Sequence, residues 1–226
     1  MDKRSVALFD FDKTIYKDYS IFTSTRYLID KGYLETKVEV EMLEEYGKYK
    51  LGTYNYKQVS EKVLNIHAIA MAGLDFSTMR DVMIDFFSES RDKYYPYFEK
   101  LLPKLKETHE VFLVTASSQL VAEAIEKIFN LDGYLSTVYE VKEGVLTGKV
   151  ESSLVDSKGE KVTDLLKNFQ GQTMAFGDSD SDIEMLNLVK IPVCVNPIDN
   201  LKKVAEEKGW LVVDGEEIQK IFDLLG

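Results

Sequence analysis

Two aspartates one residue apart, Asp10 and Asp12, stand at the end of the apolar run Val6-Ala7-Leu8-Phe9. In extended chain, side chains two apart point the same way, so this spacing puts two carboxylates into one small space. Unpaired, they would repel and one would be driven to hold a proton. A divalent cation, or a division of labour between nucleophile and acid, relieves that conflict. Further along, Thr115 follows the apolar run Val111-Phe112-Leu113-Val114, and Asp178 and Asp182 follow the run Thr173 to Phe176; Lys158 lies in the segment before that third run.

Brought together, these groups are the parts of a phosphoryl-transfer site. A carboxylate such as Asp10 can attack phosphorus and form an aspartyl-phosphate. Asp12 is placed to protonate the leaving oxygen and later to activate water. Asp10, Asp12, Asp178 and Asp182 set four negative charges against one lysine, which would repel a phosphate monoester. Magnesium answers this, because it takes one or two carboxylates, waters and a substrate phosphate oxygen. Thr115 and the backbone amides of Ala116 and Ser117, read as a helix N-terminus, are candidates for the remaining phosphate oxygens. Lys158 would offset charge on the transferring group. Singly, each member has a plainer reading: Thr115 as a helix cap, Lys158 as a solvated lysine, Asp178 to Asp182 as part of a calcium loop lacking its glycine and terminal glutamate. Their joint occurrence, in this order after successive apolar runs, favours the site.

Chemistry of this kind needs elements that hold it. Continuous apolar runs are the signature of strands buried on both faces, and their alternation with helical periodicity predicts a parallel sheet with right-handed crossovers. Strand carboxyl ends in such sheets face the ligand crevice. Between the first and second strands, residues 17–95 read as helices punctuated by Gly32, Gly47, Gly52 and Gly73. Val59, Val63, Ile66 and Ala70 form one apolar stripe; Phe76, Met79, Met83 and Phe86 form another, capped at Asp75 or Ser77. That run is too long for a crossover and too regular for a loop. The expected architecture is an α/β Rossmann-like core over 1–16 and 96–226, with an all-helical cap over 17–95. A hairpin is expected around Glu143-Gly144, later strands at 191–195 and 210–213, and helices near 199–208 and 216–225. His67 and His109 are read as surface or helix-packing residues away from strand ends, and Cys194 and Trp210 as core.

The net charge of −11 over 226 residues argues against nucleic acid and anionic membranes as partners. Cys194 is the single cysteine, which excludes an intramolecular disulfide and a cysteine-based zinc site. No apolar stretch approaches the roughly 20 residues of a membrane span. The expectation is a cytoplasmic protein acting on a small phosphorylated metabolite, with its oligomeric state open.

At Asp10-Phe11-Asp12-Lys13-Thr14, Val114-Thr115-Ala116-Ser117, Lys158-Gly159-Glu160 and Gly177-Asp178-Ser179-Asp180-Ser181-Asp182, the chain resembles the haloacid dehalogenase superfamily of phosphohydrolases. The resemblance is to the branch with a helical cap after the first motif, which includes phosphoserine phosphatases. It implies magnesium-dependent hydrolysis through a phosphoaspartate. It further implies Asp10 as nucleophile and metal ligand, Asp12 as acid/base and carbonyl ligand, Thr115 and Lys158 as phosphate binders, Asp178 as metal ligand and Asp182 as its support, with Asp180 in solvent. The departures concern substrate. Tyr19, flanked by Asp18 and Ser20, stands where phosphoserine phosphatases carry a glutamate for the substrate ammonium, and Val63 stands where they carry an arginine for the carboxylate. Asp18, Tyr19 and Ser20 are therefore the candidate substrate residues. Two other outcomes stay open: transfer of the phosphoryl group to an acceptor alcohol, and a receiver-type signalling domain that keeps a lasting phosphoaspartate.

Overall fold

The computed structural model describes residues 4–215, and its centre is β1 (Ser5–Phe9), in which Val6 to Phe9 are wholly buried. On one side β1 pairs in parallel with β2 (His109–Ser118), and on the other with β5 (Thr173–Gly177). Outward from β2 lie β3 (Gly133–Lys142) and β4 (Val145–Ser152); outward from β5 lie β6 (Ile191–Val195) and β7 (Leu211–Val213). The order of the seven-stranded sheet is β4-β3-β2-β1-β5-β6-β7, with only β3 and β4 antiparallel. The hairpin joining those two turns at Glu143 and Gly144, which both have positive φ (52° and 81°), the twist a two-residue hairpin turn requires.

Helices α1 (Ser20–Asp30), α2 (Thr36–Lys50), α3 (Tyr56–Ala70) and α4 (Phe76–Glu89) intervene between β1 and β2, followed by α5 (Pro96–Leu105). Among the described residues the remaining α-helices are α6 (Gln119–Phe129), α7 (Lys158–Leu166), α8 (Ile183–Asn187) and α9 (Asp199–Lys208). Asn55 caps α3 with a reciprocal bond pair to Gln58, and Asp75 caps α4 by accepting from the Thr78 amide. Val59 and Val63 pack with Val38 and Met42 in a small core of their own, against which Ile66 and Ala70 lie. Leu28, Leu64, Met79, Met83 and Phe87 belong instead to the main core under the sheet. The α3–α4 loop is tied to the hairpin by backbone bonds from Gly73 N to Leu146 O (2.8 Å), Leu146 N to Leu74 O (2.9 Å) and Phe76 N to Gly144 O (2.8 Å).

Cys194 is fully buried, as expected. Trp210 is only half-buried and precedes β7 rather than opening it. His109 is the buried first residue of β2, contrary to the reading that placed it away from strand ends; the strand starts earlier than its apolar run because Ser5 pairs with it. His67 is buried on α3, its Nδ1 2.9 Å from the Tyr139 hydroxyl on β3. The helix expected at 216–225 lies outside the described residues. No helix among them is long and apolar enough to cross a membrane.

Candidate active site

Asp10 leaves β1 at its carboxyl end, fastened by its amide to the Phe176 carbonyl at 2.9 Å. Parallel pairing of β1 with β2 and β5 brings all three carboxyl ends to one edge, where Asp10, Thr115 and Asp178 are buried together. Lys158, in the first turn of α7, donates to Asp10 Oδ1 at 2.8 Å and to Asp182 Oδ1 at 2.5 Å. Asp182 Oδ2 accepts the amides of Asp178 (3.0 Å) and Ser179 (3.1 Å). Both Asp182 oxygens are thus engaged, and its role is to hold Lys158 and the turn that presents Asp178. Gly177 is glycine for this reason: a Cβ there would fall 2.5 Å from Asp182 Cβ.

Asp12 is held separately. Its Oδ1 accepts the Ser20 amide at 2.8 Å and its Oδ2 the Ser117 hydroxyl at 3.3 Å, while the Ser20 and Ser117 hydroxyls bond each other at 2.8 Å. Burial pushes the Asp12 carboxyl up to about 6, partly offset by the Ser20 amide. Burial also raises Asp10, with the neighbouring Asp182 charge adding to it and Lys158 opposing it. Asp178 is raised by burial and by the Asp182 and Asp10 charges. Burial by itself would lower the Lys158 ammonium, but Asp10 and Asp182 outweigh it and keep it charged.

Asp10, Asp178 and Asp182 each offer an oxygen within 4.8 Å of the others. Hard carboxylate donors with one ammonium among them suit a magnesium ion, and with Asp182 already engaged the donors that fit are Asp10 and Asp178. A cavity of about 80 Å³ opens onto Asp10, Asp12, Thr115 and Asp178. A second, of about 70 Å³, adjoins it and is walled chiefly by aromatic and aliphatic side chains of the inserted helices. Asp12, Tyr19, Tyr56 and Ala116 line both.

Several sequence candidates sit otherwise than expected. The Ser117 amide is turned onto Thr115 Oγ1 at 3.1 Å, and α6 begins only at Gln119. The run after Thr115 is therefore not the free helix N-terminus expected, because β2 continues to Ser118. Lys158 stands behind Asp10 and does not line either cavity. Asp18 points away, to Lys93 at 3.0 Å and Lys13 at 3.6 Å. Ser20 lines neither cavity and instead steadies Asp12, whereas Tyr19 faces both. Asp180, by contrast, is exposed as expected, at the rim of the first cavity, and accepts from Asn200 at 2.9 Å. Tyr46, Tyr49, Tyr56 and Ser60 were not singled out from sequence; the density of tyrosines from 46 to 56 was the available signal, but nothing in it says which faces reach the site.

Over 93% of its length the chain is 25% identical to a histidinol-phosphatase of Neisseria meningitidis serogroup C (strain 8013), covering 99% of that protein. It is 26% identical over 95% of its length to a phosphoserine phosphatase of Mycobacterium tuberculosis (strain ATCC 25618 / H37Rv), covering 72% of that protein. Its fold matches a protein of unknown function from Bordetella pertussis Tohama I with a TM-score of 0.78 at 23% identity, over 94% of this chain and 99% of that one. It also matches a substrate-bound phosphoserine phosphatase with a TM-score of 0.70 at 20% identity, over the whole of both chains. At those identities the structural matches speak for the fold alone. The profile of the haloacid dehalogenase-like hydrolases matches residues 7–187, which take in most of β1, the inserted helices and every side chain of the acidic cluster, and the chain belongs to that family.

Proposed function

We propose that this hydrolase cleaves small phosphoric monoesters, with Asp10 as the nucleophile and residues 17–95 as a cap over the site. The observation that carries this is the pairing of Lys158 with Asp10 at 2.8 Å beside the separately held Asp12, with both carboxylates at the edge of one cavity. Asp10 Oδ1 is oriented by the ammonium, which leaves Oδ2 to form the new O–P bond. As the P–O bond to the alcohol breaks, the proton on Asp12 passes to the leaving oxygen. Water then attacks phosphorus with Asp12 taking back a proton, and the Asp10 carboxylate is released with inorganic phosphate. A carboxyl near 6 suits this double duty at neutral pH. Ser20 and Ser117 keep that carboxyl on the leaving-group side, and Thr115 and Ala116 line the same space.

Asp10 and Asp178 would hold magnesium, which supplies charge neutralisation for the phosphoryl oxygens when bound. The single cysteine and the charge of −11 support a cytoplasmic setting and a small-molecule substrate rather than a nucleic acid. The test is phosphate release from a panel including O-phosphoserine and histidinol phosphate, with magnesium and with Asp10→Asn as the comparison. Asp10→Asn is expected to abolish turnover while the circular dichroism spectrum is kept. A variant turning over at the wild-type rate would end the nucleophile assignment. Phosphorylated acceptor in place of free phosphate would make the protein a phosphotransferase, and an adduct lasting minutes would favour the signalling reading.

A further inference from the structure

We infer that the alcohol part of the substrate is short and apolar and carries no carboxylate, a reading that rests on the phosphatase assignment above. The geometry that points to it is the second cavity, beside Asp12 on the leaving-group side. Its walls are built chiefly from Tyr19, Phe22, Tyr46, Tyr56 and Val63, with Ser60, Ser117 and Asp12 as the small polar lining residues. The Tyr19 and Tyr46 rings lie 6.0 Å apart and those of Phe22 and Tyr46 5.5 Å apart, edge to face, so the wall is packed.

Among the described residues, no lysine, arginine or histidine lines either cavity. Two nearby ammonium groups lie against the wall rings, Lys13 over Tyr19 at 5.0 Å and Lys50 over Tyr46 at 5.2 Å, and neither lines a cavity. The Lys13 ammonium donates to the Lys17 carbonyl at 2.7 Å and faces Asp18. Arg26 is paired with Glu39 and Arg91 with Glu99. A substrate carboxylate placed here would lose its water, meet no cationic partner, and lie close to Asp12. A hydrocarbon chain would instead replace water against aromatic and aliphatic faces, which is favourable in proportion to the area covered. The volume of about 70 Å³ is small and suits a chain of a few carbons rather than a bulky group.

The test compares kcat/KM for propyl phosphate and phosphoglycolate, near-isosteric esters that differ by the carboxylate, with p-nitrophenyl phosphate as a general reporter. Propyl phosphate is expected to be preferred by about tenfold or more. Ser60→Arg, which brings a guanidinium to the cavity, is expected to reduce that ratio about tenfold by raising phosphoglycolate and lowering propyl phosphate. Equal or better use of phosphoglycolate by the wild type overturns the inference and leaves the phosphatase reading standing. An unchanged ratio in folded Ser60→Arg places the selectivity outside this cavity and also overturns it. If Ser60→Arg does not fold, Val63→Ala decides: the enlarged cavity is expected to raise the butyl-to-propyl ratio several-fold, and an unchanged ratio refutes the assignment. Absence of phosphate release from every ester, the reporter included, refutes the phosphatase reading and this inference with it.

Discussion

Acidification is expected to loosen the joint between the inserted helices and the core, through His67. The imidazole is 4% exposed on α3 and meets the Tyr139 hydroxyl of β3 at 2.9 Å, while its Nε2 finds no partner among the described residues. Burial pushes its pKa down to about 4 from the ordinary 6.5. The folded state therefore keeps the ring neutral while the unfolded chain takes up a proton below about 6.5. Stability from this group is complete above that pH and is lost as pH falls towards 4. Linkage gives a loss of ~1.4 kcal/mol by pH 5.5 and ~2.5 kcal/mol by pH 4.5. Asp10 and Asp12 work in the opposite direction, because their raised values let the folded state bind protons first. The total profile mixes both signs, so the measurement is a difference: urea unfolding of wild type and His67→Gln at pH 7.5, 5.5 and 4.5. The glutamine keeps a polar group for Tyr139 and cannot titrate. Relative to wild type, the variant is expected to gain ~2.5 kcal/mol between pH 7.5 and 4.5. A stability difference that stays constant with pH would refute the claim that His67 is held neutral.

Gly177→Ala is expected to lower kcat about 100-fold or more, since its Cβ must displace Asp182 and with it Lys158 and the Asp178 turn; steady-state kinetics alongside circular dichroism checks this. Magnesium is expected to raise the melting temperature, and by more at pH 8 than at pH 5.5, because the raised carboxyls of Asp10 and Asp178 hold protons that compete with the ion at the lower pH. Asp10→Asn is expected to remove most of that rise in a thermal-shift assay; a rise greatest at pH 5.5 would contradict it. Asp18→Asn breaks only a half-exposed pairing with Lys93 and Lys13, and is expected to leave kcat/KM unchanged and stability within about 0.5 kcal/mol in kinetic and urea measurements.

Much of this molecule was legible from local pattern. The run Val6 to Phe9 reads as a doubly buried strand because burial on both faces leaves no polar position, and it is the centre of the sheet. Glu143-Gly144 reads as a turn because the second residue accepts positive φ without strain. The helical stripe Val59, Val63, Ile66, Ala70 follows from the 3.6-residue period. Asp10, Asp12, Thr115 and Asp178 were visible by their positions after apolar runs, since parallel strands deliver their carboxyl ends to one edge, and Lys158 by its place in the segment before the third run.

What the chain order does not carry is direction. Asp18, Tyr19 and Ser20 are neighbours in sequence, yet one faces solvent lysines, one faces both cavities and one grips Asp12, because the chain enters α1 there and successive side chains fan around the helix start. The Ser117 amide was expected on a phosphate and is found on Thr115, because β2 runs on to Ser118 before α6 starts. Lys158, 148 residues from Asp10, binds it only because α7 is laid against that edge of the sheet. The aromatic cavity needs α1, α2 and α3 brought over Ala116 and Ser117. Periodicity and residue type are local properties and determined the elements and the chemical groups. Which groups meet, and which are turned aside, depends on contacts between residues far apart in the chain, and those exist only once the helices are packed on the sheet.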